Sequence, residues 1–150
     1  MRTRSIPRAH LEVSEIGLGT WQYGGDWGKV TDEQARAVLH TALDAGVTFL
    51  DTADVYGDGR SERLVGEVVT ERGDTERVTI ATKVGRRADP HVATAYTPQA
   101  LRDWVARSLQ NLAVERLDLL QLHCPPFEVY ADDDLFAALD GLVDEGLVAA

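Results

Sequence analysis

Four polar residues of different chemistry stand at or just beyond the ends of short apolar runs: Asp51, Tyr56, Lys83 and His123. Asp51 closes the run 47–50, Lys83 closes 78–82 and His123 closes 117–122, while Tyr56 follows Asp51 on the next loop. The set suits proton delivery to a carbonyl oxygen. A phenol with an ordinary pKa of ~10 keeps its proton at neutral pH and can donate it. A nearby ammonium favours the phenolate, so Lys83 is expected to make Tyr56 a better acid. Asp51 would pair with Lys83 and hold it, and His123 would donate a hydrogen bond to the same oxygen and orient the carbonyl. The set holds no strong nucleophile and no metal cluster, so the reducing equivalent would come from a cofactor.

Positioning such a set requires strands whose ends converge. The chain reads as short β-rich runs alternating with amphipathic helices. Thr31 and Gln34 form a T-x-x-Q capping box ahead of Ala35, Val38, Leu39, Ala42 and Leu43, which share one helical face. Gly46 stops that helix. Ser61 is expected to cap a second helix with Leu64, Val65, Val68 and Val69 as its buried stripe, closed by Gly73. Thr97-Pro98 starts a third, with Leu101, Trp104, Val105, Leu109 and Leu112 inward. A fourth spans about 133–145, with Leu135, Leu139, Leu142 and Val143 as its stripe and Gly146 as its end. Residues 147–150 resemble the start of another strand. Ahead of this series, 2–6 and 11–15 form a hairpin, and 16–19 make the first strand. No linker or internal domain boundary interrupts the 150 residues.

Strand, loop and helix in repetition imply parallel strands covered by helices. An open doubly wound sheet and a closed barrel both satisfy that pattern. The open dinucleotide-binding sheet carries G-x-G-x-x-G between its first strand and helix. Here the junction 17–25 has different glycine spacing and lies several residues ahead of the helix, which disfavours the open sheet. In a barrel, the C-terminal strand ends form the mouth where active sites lie.

Composition narrows the class further. The formal net charge is −10 and no basic stripe gathers the Lys and Arg residues, so nucleic acid is disfavoured as a partner. A single cysteine, Cys124, precludes an internal disulfide. Neither a signal-peptide pattern nor a run of ~20 apolar residues is present, so a cytoplasmic protein that does not cross a membrane is expected. Cys124 reads as a small hydrophobe. His10, His40 and His91 lack metal-ligand spacing, Asp132-Asp133-Asp134 suits a helix start, and Trp104 suits a core position.

The same residues resemble a known family. The segment 49–57, Phe-Leu-Asp-Thr-Ala-Asp-Val-Tyr-Gly, is similar to the D-T-A-x-x-Y-G signature of the aldo-keto reductases. Gly17-Leu18-Gly19-Thr20-Trp21 resembles that family's G-x-G-T-W opening, and Ser61-Glu62 with Leu64-Val65-Gly66 resembles the start of its second helix. Ile80-Ala81-Thr82-Lys83 and the run from Asp118 to His123 resemble its lysine and histidine strands. The resemblance runs through the whole chain in order. It implies a (β/α)8 TIM-barrel type of α/β fold and reduction of an aldehyde or ketone with NADPH (or NADH), Tyr56 supplying the proton. It also implies that Thr20, Trp21 and Asp51 lie near the nicotinamide end of the cofactor, and that Tyr23, Trp27 and Tyr56 wall the substrate pocket.

Only about four strand–helix units are present, whereas a complete barrel of this type needs ~250 residues. In the resembled family the second half supplies most of the grip on the cofactor's phosphates. The chain alone is therefore expected to show little or no turnover, and to self-associate or pair with a missing C-terminal half through its open edges. The alternative is a non-catalytic half-barrel that binds a partner.

Overall fold

The computed structural model describes residues 1–24 and 28–150. Strands β1 (Thr3–Ile6) and β2 (Leu11–Ser14) pair antiparallel as the expected hairpin, with Thr3 opposite Ser14 and Ile6 opposite Leu11. The hairpin lies outside the main sheet and is stitched to it by two hydrogen bonds of 2.9 Å, from Ser14 N–H to Thr48 Oγ1 and from Thr48 N–H to Ser14 Oγ.

The main sheet contains β3 (Leu18–Gly19), β4 (Phe49–Asp51), β5 (Thr79–Val84) and β6 (Leu119–Leu122), all parallel and adjacent in chain order. Helices α1 (Asp32–Asp44), α2 (Arg60–Arg72), α3 (Pro98–Leu112) and α4 (Asp133–Asp144) follow the strands one by one. Sequential order without reversal is the arrangement of a barrel wall; a doubly wound sheet reverses its strand order at a switch point. Residues 147–150 add the start of a fifth strand. Leu117 N–H donates to Leu147 O at 2.9 Å, Ala149 N–H to Leu117 O at 2.8 Å, and Leu120 N–H to Ala150 O at 2.8 Å.

Local chemistry sets most helix boundaries where the sequence places them. Thr31 and Gln34 close the capping box on α1, Thr97 accepts from Ala100 N–H ahead of Pro98, and Asp132 accepts from Leu135 N–H at the start of α4. Gly46, Gly73 and Gly146 follow the ends of α1, α2 and α4 in left-handed backbone. Ser61 is the exception. Gly59 stands at the cap of α2, and Ser61 lies inside the first turn. Its hydroxyl is drawn into a buried chain instead: Thr52 Oγ1 donates to it at 3.0 Å, and it lies 2.7 Å from Thr20 Oγ1.

The sheet's outer face and the helices share the core. Leu50 and Ile80 pack with Leu39 and Leu43 of α1, Val65 and Val68 of α2, and Val105 and Leu112 of α3. A second cluster joins Val84, Tyr96, Leu101, Val129 and Leu135, with Trp104 against it. Burying each large aliphatic side chain contributes about 1.5–3 kcal/mol. Val143, expected on the inner stripe of α4, is exposed; Leu135 and Leu142 carry the packing, with Leu139 partly buried beside them. At Gly66 a Cβ would stand 2.3 Å from Leu112 O, so glycine is what lets α2 lie this close to α3.

Alternation along each strand decides which side chains reach the inside of the wall. Leu50 is fully buried toward the helices, which turns Asp51 to the other face. Ile80 packs in the helix-side core and Thr82 bonds Glu62 of α2, which leaves Ala81 and Lys83 on the face shared with Asp51.

Candidate active site

The strand ends bring three of the four polar residues together and a short, tightly bonded loop brings the fourth. Thr52 N–H donates to Ala81 O at 2.9 Å, Asp54 N–H to Lys83 O at 3.1 Å and Tyr56 N–H to Ala53 O at 3.2 Å. The loop therefore leaves β4 pinned to β5. His123 N–H bonds Val84 O at 2.8 Å, so the end of β6 is held in the same way.

Lys83 Nζ donates to Asp51 Oδ1 at 2.5 Å and to Thr52 O at 2.9 Å. The ammonium lies 5.5 Å from the centroid of the Tyr56 ring. The Tyr56 and His123 rings meet edge to face at 5.8 Å. All four residues thus form one continuous cluster at the C-terminal ends of the strands.

The electrostatics differ from the expectation that Lys83 makes Tyr56 more acidic. Burial pushes the Tyr56 phenol above its ordinary value, and the Asp51 carboxylate pushes it the same way. The physical reason is that the Lys83 charge is taken up by Asp51 and Thr52 O and lies beside the ring face. Tyr56 consequently holds its proton firmly at neutral pH. Burial lowers the His123 pKa, with Lys83 and Arg86 adding to the effect, so the imidazole is neutral at pH 7. A neutral imidazole still has one N–H to donate.

A second buried network supports the Tyr56 loop, and sequence reasoning missed it. Asp54 is fully buried with neither carboxylate oxygen hydrogen-bonded, and its closest counter-charge is Arg87 Nη1 at 3.8 Å. Burial, followed by the charge of Glu62, pushes Asp54 up to about 7. Glu62 is held by Thr82 Oγ1 at 2.6 Å and Asn111 Nδ2 at 2.8 Å. Arg87 and Arg107 both reach Asp58 Oδ1, at 3.1 and 2.5 Å. The loop carrying Tyr56 is therefore clamped from β5 and α3. The signal available in the sequence was an acid at a variable position of the 49–57 motif, three residues after Asp51.

The remaining expected site residues divide. Trp21, Tyr56 and His123 line one open pocket of about 430 Å³ together with Val55 and Arg86. That is within the usual range for small-molecule sites, roughly 300–1,000 Å³. Thr20, expected at the cofactor, has no exposed surface. Its hydroxyl donates to Asp51 O at 2.9 Å and its role is to pin the end of β4. Tyr23, expected in the substrate pocket, is buried in the main core with Leu39 and Leu64. Its burial raises the phenol to about 12. Trp27 lies outside the described residues. Arg86 was not anticipated; the Arg86-Arg87 doublet three residues beyond Lys83 was the available sign.

A more enclosed cavity of about 150 Å³ lies at the opposite ends of the strands, beside Val78, Leu112 and Asp118. Asp118 Oδ2 accepts from Ile80 N–H at 2.9 Å there. Glu115 and Arg116 also line it, but the Lys83, Tyr56 and His123 side chains do not. Among the described residues, no three His, Cys, Asp or Glu side chains cluster to hold a metal, and no helix is long and apolar enough to cross a membrane.

The sequence and the fold both have relatives among known proteins. The profile of the aldo/keto reductase family matches residues 15–150. The chain is 36% identical over 127 residues to aldo-keto reductase YhdN of Bacillus subtilis, covering 83% of this chain and 38% of that protein. Its fold superposes on the holo form of aldo-keto reductase AKR11C1 from Bacillus halodurans with a TM-score of 0.82 and 29% identity, covering 99% of this chain and 48% of the other. It also superposes on an aldo-keto reductase from Klebsiella pneumoniae in complex with NADPH, with a TM-score of 0.74 and 30% identity over 93% of this chain and 44% of that one. The chain spans half or less of the length of these relatives.

Proposed function

The chain belongs to the aldo/keto reductase family, and from that premise we propose that it carries the proton-transfer apparatus of a nicotinamide-dependent carbonyl reductase. The observation that carries the reading is the Lys83–Asp51 ion pair lying under the Tyr56 ring, with His123 against the ring's edge.

NADPH or NADH fits the donor set, because the cluster can deliver a proton and contains no group able to deliver hydride. A nicotinamide bound there would supply hydride for the carbonyl carbon. Asp51 and Trp21 would flank it, with Thr20 acting behind Asp51 through its hydrogen bond to Asp51 O. As charge grows on the carbonyl oxygen, Tyr56 Oη transfers its proton there and an alcohol results. The neutral His123 ring donates a hydrogen bond to the same oxygen and orients it. Asp51 holds Lys83 beside the ring, and burial together with the Asp51 carboxylate keeps the phenol protonated until the substrate oxygen takes the proton. The aldehyde or ketone enters beside Trp21 and Val55.

The test is NADPH oxidation with a panel of aldehydes, using these residues within a catalytically competent chain. Tyr56→Phe should lower kcat by roughly 10²–10⁴-fold, the usual contribution of general acid catalysis, with the fold retained. An unchanged kcat would remove Tyr56 from its role. A second reading rests on the sheet itself: in the described residues the outer edges of β3 and of 147–150 have no strand neighbour. We propose that these edges pair with further barrel strands, supplied by additional sequence or by another chain.

A further inference from the structure

Two adjacent arginines leave the end of β5 and meet different partners. Arg87 is spent on two acids, the buried Asp54 and the exposed Asp58. Arg86 lines the pocket of Tyr56 and His123. Gly85 between strand and doublet has a φ of +101°, and a Cβ there would stand 2.5 Å from the Tyr96 ring. Only glycine accommodates that turn, so the course of the chain that places Arg86 at the pocket is built in.

Arg86 is held without being neutralised. Its Nη1 donates to His91 Nδ1 at 3.0 Å. A guanidinium has no acceptor, so Nδ1 must be the unprotonated nitrogen and Nε2 carries the proton. Nε2 lies 2.9 Å from the hydroxyl of Tyr96, which is buried and packs edge-on against Trp104. The arginine is thus braced through two neutral side chains from the core. No carboxylate approaches Arg86 within ion-pair distance among the described residues, although the chain has 25 acidic residues to 15 basic ones. Of the other cations nearby, Lys83 pairs with Asp51, while Arg87 and Arg107 share Asp58 and Arg87 also faces Asp54. The charge of Arg86 nonetheless reaches His123, whose pKa it helps to lower.

We propose that Arg86 selects carbonyl substrates bearing a carboxylate, its guanidinium gripping that carboxylate while the carbonyl faces Tyr56 and His123. A planar guanidinium matches a carboxylate in two parallel hydrogen bonds. One unpaired positive charge at the pocket matches a single negative charge, which favours a carboxylate over a phosphate dianion. The substrate class rests on the carbonyl-reductase reading above; the anion site at Arg86 does not.

The experiment compares 4-carboxybenzaldehyde with its methyl ester, two aldehydes of similar shape that differ in charge. Cofactor-free binding to the chain is followed by the NMR shifts of the Tyr56 and His123 ring protons. NADPH oxidation is followed separately in a competent chain. Wild type should prefer the acid to the ester, and Arg86→Gln should reduce that preference by about tenfold or more, as expected for a lost charge-assisted hydrogen bond. Arg86→Lys, which keeps the charge but not the fork, should restore part of it, and this second variant separates charge from folding. Equal binding of acid and ester to wild type would overturn the proposal. So would an Arg86→Gln variant whose preference is unchanged or whose affinity for both compounds falls equally. Selective, Arg86-dependent binding with no NADPH oxidation on any aldehyde would leave the anion site standing and sink the carbonyl-reductase reading instead.

Discussion

Lys83 Nζ and Asp51 Oδ1 meet at 2.5 Å across the neighbouring parallel strands β4 and β5. The pair is partly buried, and it sets the charge that Tyr56 experiences. The ammonium's field is largely cancelled at the phenol, while the carboxylate and burial keep the phenol protonated.

Removing the carboxylate should therefore shift Tyr56. Asp51→Asn takes away a charge that raises the Tyr56 pKa and releases Lys83 to act on the ring. The phenol should titrate at lower pH than in the wild type, measurable by ¹³C NMR of labelled tyrosine. An upward shift or none would show that Asp51 does not govern the phenol's charge.

Asp54 should make the fold sensitive to pH near neutrality. Its carboxyl is raised from 3.8 to about 7 in the folded chain. The folded state then binds more protons than the unfolded state between those two values, so stability falls as pH rises across that window. The contribution is complete below the unfolded value and lost once the folded group ionises. Asp54→Asn should accordingly melt above wild type at about pH 8 and much closer to it at about pH 5. Thermal denaturation at both pH values checks this, and parallel curves for the two proteins would refute it.

Gly66→Ala should separate stability from chemistry. Its Cβ would press on the backbone at Leu112, so α2 and α3 must part. Overpacking of this kind costs about 1–3 kcal/mol. Urea denaturation should show a lower midpoint, with the tyrosine titration of the folded protein unchanged, because the contact lies away from the Tyr56 cluster.

The open edges should make the 150-residue chain associate. Strand β3 is only two residues long and the 147–150 edge is unpaired beyond Leu117 and Leu120. Unpaired edges template strand addition. Size-exclusion chromatography with light scattering should show a concentration-dependent dimer or larger species. A monomer that persists on concentration would count against edge pairing.

Much of the site was legible because it depends on local order. A strand ends where its apolar run ends, and alternation then fixes which face the next polar residue takes, so Asp51, Lys83 and His123 could be read in line. Thr31, Gln34, Thr97 and Pro98 announce helix starts through bonds made within one turn. Those features, and with them the barrel wall and its family, the sequence by itself determined. Tertiary structure alone decided how the charges and hydroxyls are shared. Thr20 turns away from the pocket to bond Asp51 O, thirty-one residues on. Tyr23 enters the core, Lys83 gives its charge to Asp51, and Arg86 meets no carboxylate among the described residues while Arg87 next to it faces Asp54 and Asp58. Each outcome depends on desolvation and on partners from other strands and helices, and neither quantity is a property of a residue's neighbours in sequence.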